Sequence, residues 1–241
     1  MNNKKKILLL VEGAKTDVRL MEHLLEIYKI DVKHEIVSYN TNIYTLYKEM
    51  FEKNNPEDID ILQILKEREN NQEKKKIFDE KYTDILLIFD LDPHDSQFSD
   101  MKITRMMNYF VESSDMGKLY INYPMVEAFY HMKEIPDKAF NNYCATMAEL
   151  QERTYKKRVN EENRNRDYRK FACTRKECNI VIKQNITKAF LILNKKYEDN
   201  VLNHADILVA QLKKMVKDNE VYVLCTCVFF IIEYNPRLIK E

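Results

Sequence analysis

The chain has 241 residues, of which 45% are hydrophobic and 32% charged, so it can bury a core beneath a well-solvated surface. Lys and Arg together number 39, as do Asp and Glu, so attraction to nucleic acid would have to come from a local patch. The only glycines, Gly13 and Gly117, are too far apart for a P-loop or a GxGxxG motif. The composition therefore argues against P-loop ATPases, Rossmann dehydrogenases and kinases with a glycine-rich loop.

Localisation follows from the apolar runs and the cysteines. We expect no secretory signal, because the apolar run ILLLV behind the basic start is short and is closed by Glu12. The longest apolar stretch, Val221–Ile232, is too short to span a bilayer and predicts a buried strand or helix. An odd number of cysteines without a CxxC pair argues against a disulfide framework and a zinc site. We expect a cytoplasmic protein with no membrane association.

The first half of the chain alternates predicted strands and helices. Apolar runs predict four strands: Ile7–Val11, Glu35–Tyr39, Tyr82–Phe89 and Lys118–Asn122. Helical spacing of apolar residues predicts three helices: Lys15–Tyr28, Ile43–Phe51 and Asp100–Phe110. This alternation is typical of an α/β fold with a mainly parallel sheet flanked by helices.

The second half has a different character. We expect helices over Asn142–Asn165, Glu177–Tyr197 and His204–Lys217. The predicted organisation is therefore a catalytic domain over residues 1–135, with a charged insertion at about residues 52–80, and a mostly helical C-terminal extension over residues 136–241.

Acidic residues follow two of the predicted strands. Glu12 and Gly13 come directly after the first strand, and Asp90-Leu91-Asp92 follows the strand at Tyr82–Phe89. The carboxyl ends of parallel strands meet at one edge of a sheet, so we expect these carboxylates to lie close together. Hard oxygen ligands of this kind suit Mg²⁺ or Mn²⁺. Gly13 permits a positive φ or a close approach, although it could simply turn the chain into the next helix.

These motifs resemble a known family. An apolar strand followed by VEG, and a later apolar strand followed by DLD, are similar to the Toprim domain, which has a Rossmann-like fold. The resemblance covers residues 7–132. The segments VEGAKTD and NYPMVEAFYHM most resemble the small OLD-, RloB- and AriB-like Toprim effectors of bacterial phage-defence systems.

The resemblance implies roles for individual residues. It makes Glu12 a general acid/base or metal ligand, and it makes Asp90 and Asp92 metal ligands of the catalytic centre. Asp17 matches an acidic residue one helical turn after the first motif. The run DLDPHDS departs from the usual DxDxD or DxDxxG, and Asp95 is the candidate for a third acid in it.

A further pair lies in the segment Tyr120–Met132. Glu127 and His131 are four residues apart and share one face if the segment is helical. In the functional reading, Glu127 completes the acidic catalytic cluster and His131 orients a phosphate or a water. In the alternative reading they are an ordinary pair on a helix surface. The role of His94, beside the DLD motif, stays open.

A basic segment lies in the second half. Between Glu152 and Lys176 there are ten Lys or Arg residues and four acidic residues, with Tyr155, Tyr168 and Phe171 interleaved. Cations neutralise phosphates and aromatic rings stack on bases, although such runs are also typical of a solvated helix with internal ion pairs. The candidate nucleic-acid contacts are Lys156, Lys157, Arg158, Arg164, Arg166 and Arg169.

The leading functional prediction is a Mg²⁺- or Mn²⁺-dependent endonuclease that hydrolyses RNA, including tRNA, or DNA as an effector of anti-phage defence. One alternative is a phosphohydrolase similar to haloacid dehalogenases, because ILLIFDLD resembles that family's motif; Asp90 would then be the nucleophile and Asp92 the general acid. Another alternative is a non-catalytic binding or regulatory module with a Toprim fold.

Partners are expected as well. Relatives with the VEG and DLD pattern resemble effectors that are restrained by an ATPase, so we expect an ATPase or another regulatory protein as partner. Self-association is a further expectation. Candidate docking surfaces are the charged stretch at residues 52–80 and the run Val221–Ile232, although the latter is more typical of core.

Overall fold

The chain forms an α/β fold, and the computed structural model describes residues 5–30, 32–114, 116–196 and 202–239. The strands of its main sheet are β1 (Lys6–Val11), β2 (Lys33–Ser38), β3 (Asp84–Asp90), β4 (Val111–Glu112) and β5 (Gly117–Asn122). They lie in the order β2-β1-β3-β5-β4. The pairs β1–β2 and β1–β3 are parallel, and β4 pairs with β5 in antiparallel orientation. The predicted α/β class with a mainly parallel sheet is confirmed.

The continuous apolar run of β1 explains its central place in the sheet. Leu9 aligns with Ile36 of β2 and with Leu86 of β3. Leu8, Leu9 and Leu10 have no exposed surface. A strand that is buried on both faces gains from apolar side chains at every position, whereas a half-exposed strand would alternate.

Helices account for most of the remaining elements. They are α1 (Thr16–Ile27), α2 (Ile43–Tyr47), α3 (Ile61–Arg68), α4 (Gln72–Lys75), α5 (Asp100–Tyr109), α6 (Met147–Gln151), α7 (Tyr155–Glu162), α8 (Arg175–Ile192), α9 (His204–Asp218) and α10 (Phe229–Tyr234). A short antiparallel pair joins β6 (Cys144–Thr146) to β7 (Glu220–Tyr222). Within the described ranges, no helix combines the length and apolar character that crossing a bilayer requires.

The single helix predicted over Asn142–Asn165 is wrong, because β6, α6 and α7 occupy that range. Thr146 starts α6 with a capping box: its hydroxyl accepts the N–H of Glu149, whose carboxylate accepts the N–H of Thr146. Arg153 then adopts a left-handed backbone, with φ of +57°. That conformation cannot continue a right-handed helix, so α7 starts anew.

The charged stretch at residues 52–80 is an ordered part of the first half. It contains α3, α4 and a 3-10 helix at Lys76–Asp79. Its apolar residues Ile61, Ile64, Leu65 and Phe78 are buried, while most of its charged side chains are exposed. The stretch is therefore anchored through a few apolar side chains and displays its charges to solvent.

The apolar run Val221–Ile232 is core, in agreement with the prediction of a buried strand or helix. It contains the end of β7 and the start of α10. Val221, Leu224 and Phe229 have no exposed surface. This burial removes the run from the candidate docking surfaces.

The chain divides into two compact units. The first comprises residues within 1–21, 31–89 and 97–120, and the second comprises residues within 22–30, 90–96 and 121–241. Residues 90–96 and 121–135 thus group with the C-terminal part of the chain and with residues 22–30, not with the strands β1, β2 and most of β3. Residues after β5 are joined to the C-terminal part by backbone hydrogen bonds, since Tyr123 and Leu224 exchange two of them, each of 2.8 Å.

Candidate functional site

The acidic motif after β3 forms a turn that is held by backbone hydrogen bonds within the second unit. The N–H of Leu91 donates to the carbonyl oxygens of Asn122 and Pro124, at 3.0 and 3.2 Å. The N–H of Asp92 donates to Pro124 at 3.4 Å. Asp92 has a φ of +39°, in the left-handed region that few residues other than glycine adopt. These contacts therefore fix the backbone of Asp92 at the end of the strand.

Glu127 supplies a second buried carboxylate. It lies on a 3-10 helix, Val126–Tyr130, and its side chain is 5% exposed. Its Oε1 lies 3.2 Å from Nζ of Lys156. Its Oε2 is buried and has no hydrogen-bond partner among the described residues. A buried acceptor without a donor is costly, so this oxygen is suited to receive a ligand.

The surroundings of Asp92 favour its protonated form. Burial is the main cause that raises the pKa of Asp92 above its usual range. The charges of His94 and Lys156 oppose this increase, and the charges of Asp95 and Glu127 add to it. Asp92 consequently keeps its proton to a higher pH than an exposed aspartate does.

Lys156 places a positive charge among these carboxylates. Burial by itself lowers its pKa, but Glu127, Asp90 and Asp92 outweigh that effect and raise the pKa above the ordinary value. The side chain of Lys156 nevertheless remains 59% exposed. An ammonium group that is both charged and accessible can contact an incoming anion without leaving the cluster.

Four of the other candidate cations of the basic segment also form ion pairs. Arg158 also donates to the carbonyl oxygen of Cys144 at 2.8 Å. Arg166 has a left-handed backbone with φ of +52°. The ion pairs of these four cations are Arg158 with Glu149 at 2.6 Å, Arg164 with Glu177 at 2.8 Å, Arg169 with Asp167 at 3.0 Å and Lys157 with Glu161 at 3.9 Å.

His131 is a buried anchor of α7 rather than a surface residue. Its Nε2 lies 3.0 Å from a carboxylate oxygen of Glu162, and its Nδ1 lies 3.1 Å from the Tyr155 hydroxyl. A carboxylate only accepts, so Nε2 carries the hydrogen and Nδ1 accepts from Tyr155. Burial lowers the pKa of His131 to about 4. A neutral His131 thus fixes the helix that presents Lys156, and the predicted role in orienting phosphate or water does not fit this placement.

Glu12 and Asp17 belong to the first unit. The N–H of Glu12 donates to Ile88 of β3 at 3.0 Å, so Glu12 prolongs the pairing at the end of β1. A Cβ at Gly13 would lie 2.6 Å from Oδ2 of Asp17. Because Gly13 has no side chain, the Asp17 carboxylate at the start of α1 can approach its backbone closely.

The predicted site residues thus form two sets. Glu12 and Asp17 lie in the first unit, whereas the second unit contains Asp90, Asp92, Asp95, Glu127 and Lys156. Across the ranges that the structure describes, no group of three or more His, Cys, Asp or Glu side chains is arranged to hold a metal ion.

A divalent cation nevertheless fits the chemistry of the second set. Mg²⁺ usually keeps several waters and is held by one or two carboxylates together with substrate phosphates. Asp92 and Glu127 offer hard oxygen donors, and Oε2 of Glu127 lacks a hydrogen-bond donor among the described residues. The set therefore fits a cation that is completed by water and a phosphate, not one enclosed by protein ligands alone.

Sequence reasoning missed the placement of Lys156. From the sequence, Lys156 was predicted only as one of several cations in a nucleic-acid-binding patch. In the structure it pairs with Glu127, which is distant in the sequence. Only the packing of α7 against the segment after β5 reveals the pair. The contact of Asn163 Nδ2 with the carbonyl oxygen of Tyr130, at 2.7 Å, is a part of that packing which has no sequence signal.

Comparison of the chain with protein-family models, with curated proteins and with solved structures finds no significant match in any of the three. The assignment of the chain to the Toprim family stays a prediction from the VEG and DLD motifs. What the fold and the site define is an α/β protein in which the buried carboxylate of Glu127 pairs with the exposed ammonium group of Lys156.

Proposed function

We propose that the chain is a Mg²⁺- or Mn²⁺-dependent nuclease that hydrolyses phosphodiester bonds in RNA or DNA. The observation that supports the proposal most is the arrangement around Glu127. A buried carboxylate pairs with an accessible lysine through one oxygen and leaves the other oxygen without a partner among the described residues. Asp92 lies within electrostatic reach of both residues.

Each of these groups has a task in such a reaction. Lys156 binds the anionic phosphate and offsets the charge that develops on it. Asp92, which lies within electrostatic reach of Glu127 and Lys156, offers a carboxylate oxygen as a further ligand. Glu127 orients Lys156 through Oε1 and offers Oε2 as a ligand. A bound Mg²⁺ or Mn²⁺ supplies water activation and charge stabilisation.

The remaining acidic residues enter the proposal through the resemblance. Glu12 is proposed as a further metal ligand or general acid/base, and Asp90 as a metal ligand. Asp17 and Asp95 are proposed only as supporting ligands. Asp17 already lies against Gly13, and the N–H of Asp95 donates to the carbonyl oxygen of Asp92 at 2.9 Å.

The direct test is cleavage of labelled RNA and DNA, single-stranded and duplex, together with tRNA, by the purified chain in Mn²⁺. We expect Asp92→Asn and Glu127→Gln to slow cleavage at least about 100-fold, the range typical of a lost electrostatic contact to the reacting group. Glu161→Gln is the matched control, because Glu161 is exposed and lies 3.9 Å from Lys157. Equal cleavage by all variants would assign the activity to a contaminant or to another site.

A phosphomonoesterase is the second candidate. The raised pKa of Asp92, two residues after Asp90, suits a nucleophile followed by a general acid. In that reaction a carboxylate oxygen of Asp90 attacks phosphorus, the bond to the leaving oxygen breaks, and Asp92 protonates that oxygen. Hydrolysis of an aryl phosphate that is lost in Asp90→Asn, without cleavage of nucleic acid, would favour this candidate. Binding of nucleic acid without either reaction would favour the non-catalytic module.

The cellular role is part of the same proposal. The resemblance to phage-defence effectors suggests a cytoplasmic effector that an ATPase or another regulatory protein restrains. The exposed charges of residues 52–80 are the candidate contact surface for that partner. Strong cleavage by the isolated chain, combined with harmless expression in cells, would contradict restraint by a partner.

A further inference from the structure

Only one of the three aromatic residues interleaved in the basic segment keeps exposed surface. Tyr155 and Phe171 are each 1% exposed, so neither can meet a ligand. Tyr168 is half-buried. Its ring lies flat on that of Tyr130, with centroids 4.2 Å apart and planes inclined by 9°.

The hydroxyl end and one face of the Tyr168 ring are covered by the protein. The hydroxyl oxygen is buried and, within the described part of the chain, has no hydrogen-bond partner. Tyr130, which is 3% exposed, covers one face of the ring. A second flat group would therefore have to approach the ring from its opposite face.

This ring stacks on Tyr130, which lies on the same 3-10 helix as Glu127. The pKa of Tyr168 is raised mainly by burial and further by the negative charge of Glu127. Glu127 is also the residue that pairs with Lys156 at 3.2 Å. An aromatic face, a buried carboxylate and an accessible ammonium group thus occur together in the second unit.

The backbone around Tyr168 is held in place without a ligand. Asp167 accepts the N–H of Arg169 at 3.0 Å and so caps the 3-10 helix Tyr168–Lys170. The Asp167 carboxylate also binds the guanidinium group of Arg169. The side-chain amide of Asn165 donates to the carbonyl oxygen of Lys170. A ring held in this way loses little conformational entropy when a base stacks on it.

We propose that Tyr168 is a stacking platform for an unpaired nucleobase whose neighbouring phosphate is bound by Lys156. The proposal rests on the proposed nuclease function and narrows its substrate to single-stranded nucleic acid. Bases inside a duplex already stack on both sides and do not offer a free face.

Binding without cleavage tests this proposal independently of the reaction. Single-stranded RNA and DNA oligonucleotides of one sequence, each containing 2-aminopurine, are titrated in EDTA at fixed salt, with the matching duplexes in parallel. Stacking quenches 2-aminopurine fluorescence, so we expect quenching with the single strands and little with the duplexes. Tyr168→Leu should weaken binding about 5- to 100-fold and remove the quenching, whereas Tyr168→Phe should retain both. Tyr234→Leu is the control, since Tyr234 is 37% exposed on α10.

A second measurement needs no variant. Ultraviolet crosslinking of an oligonucleotide with 5-iodouracil to the wild-type chain should label the peptide that contains Tyr168. Unchanged binding by Tyr168→Leu, crosslinks that map elsewhere, or no binding of any single strand would overturn the proposal. Binding of this kind without cleavage would contradict only the nuclease function, and cleavage unaffected by Tyr168→Leu would contradict only the stacking platform.

Discussion

Nζ of Lys156 lies 3.2 Å from Oε1 of Glu127, and this ion pair joins α7 to the segment that follows β5. The two partners differ in exposure, since Glu127 is 5% exposed and Lys156 is 59% exposed. The buried carboxylate of Glu127 therefore stabilises the charged form of Lys156, whose ammonium group solvent and ligands can reach. The predictions below follow from this pair and from the contacts that hold it.

Replacement of Glu127 by Gln should lower the pKa of Lys156. Burial already disfavours the ammonium form, and the variant removes the strongest of the charges that outweigh burial. The measurement is NMR of the reductively ¹³C-methylated protein over a pH series, with the Lys156 signal assigned through Lys156→Arg. Glu161→Gln should leave that signal unchanged. An identical Lys156 pKa in wild type and Glu127→Gln would show that the pair does not form in solution.

His131 should make the protein less stable in mild acid. Its pKa is about 4 in the folded chain and about 6.5 when exposed, so the unfolded chain binds the proton more readily between these values. The stabilising contribution is complete above pH 6.5 and disappears as the pH falls to 4. Within this window the free energy of unfolding should fall by about 1.4 kcal/mol per pH unit on account of His131.

The matched variants for this prediction are His131→Gln and His34→Gln. Urea unfolding at several pH values gives the slope of the free energy of unfolding against pH. For His131→Gln this slope should correspond to about one proton fewer taken up on unfolding, even if that variant is less stable throughout. His34 is exposed, so its replacement should leave the slope unchanged. Parallel curves for wild type and His131→Gln would contradict a buried neutral imidazole.

Arg158 and Lys157 should behave differently although they are adjacent. Arg158 donates to Glu149 at 2.6 Å and to the carbonyl oxygen of Cys144 at 2.8 Å, so Arg158→Gln should destabilise the fold by about 1.5–3 kcal/mol. Lys157→Gln should change stability by less than about 0.5 kcal/mol, since its side chain is 78% exposed and lies 3.9 Å from Glu161. Urea unfolding of both variants checks this difference. Equal effects would mean that the Arg158 contacts are not maintained.

Four of the five strands of the main sheet were predictable because local and tertiary signals agree in them, whereas the two-residue strand β4 was not predicted. The apolar run of β1 can be stable only if it is buried, and the run before Asp90 marks β3 for the same reason. The candidate Asp92 was also predictable, because its place follows directly from the end of β3. The strands and the position of Asp92 could be predicted because each depends only on residues that are close to it in the sequence.

The features that the sequence did not predict depend on contacts between distant segments or on single backbone angles. The break between α6 and α7 depends on the left-handed backbone of Arg153. Arginine has no preference for that conformation, so the sequence does not predict the break. The difference between Tyr168 and Phe171 arises from packing on Tyr130 and on the core, not from aromatic character. Glu127 was a candidate from its motif, but its pairing with Lys156 required the packing of α7.

The most direct measurement for the central claim is calorimetric titration of the purified chain with Mn²⁺, because it needs no knowledge of the substrate. We expect saturable binding that Asp92→Asn and Glu127→Gln each weaken at least about tenfold, while Glu161→Gln binds as the wild type does. The same titration of Glu12→Gln tests whether that glutamate contributes as the resemblance implies. Absence of Mn²⁺ binding by the wild type, or equal affinity in Asp92→Asn, Glu127→Gln and the control, would contradict a metal-dependent site at these carboxylates.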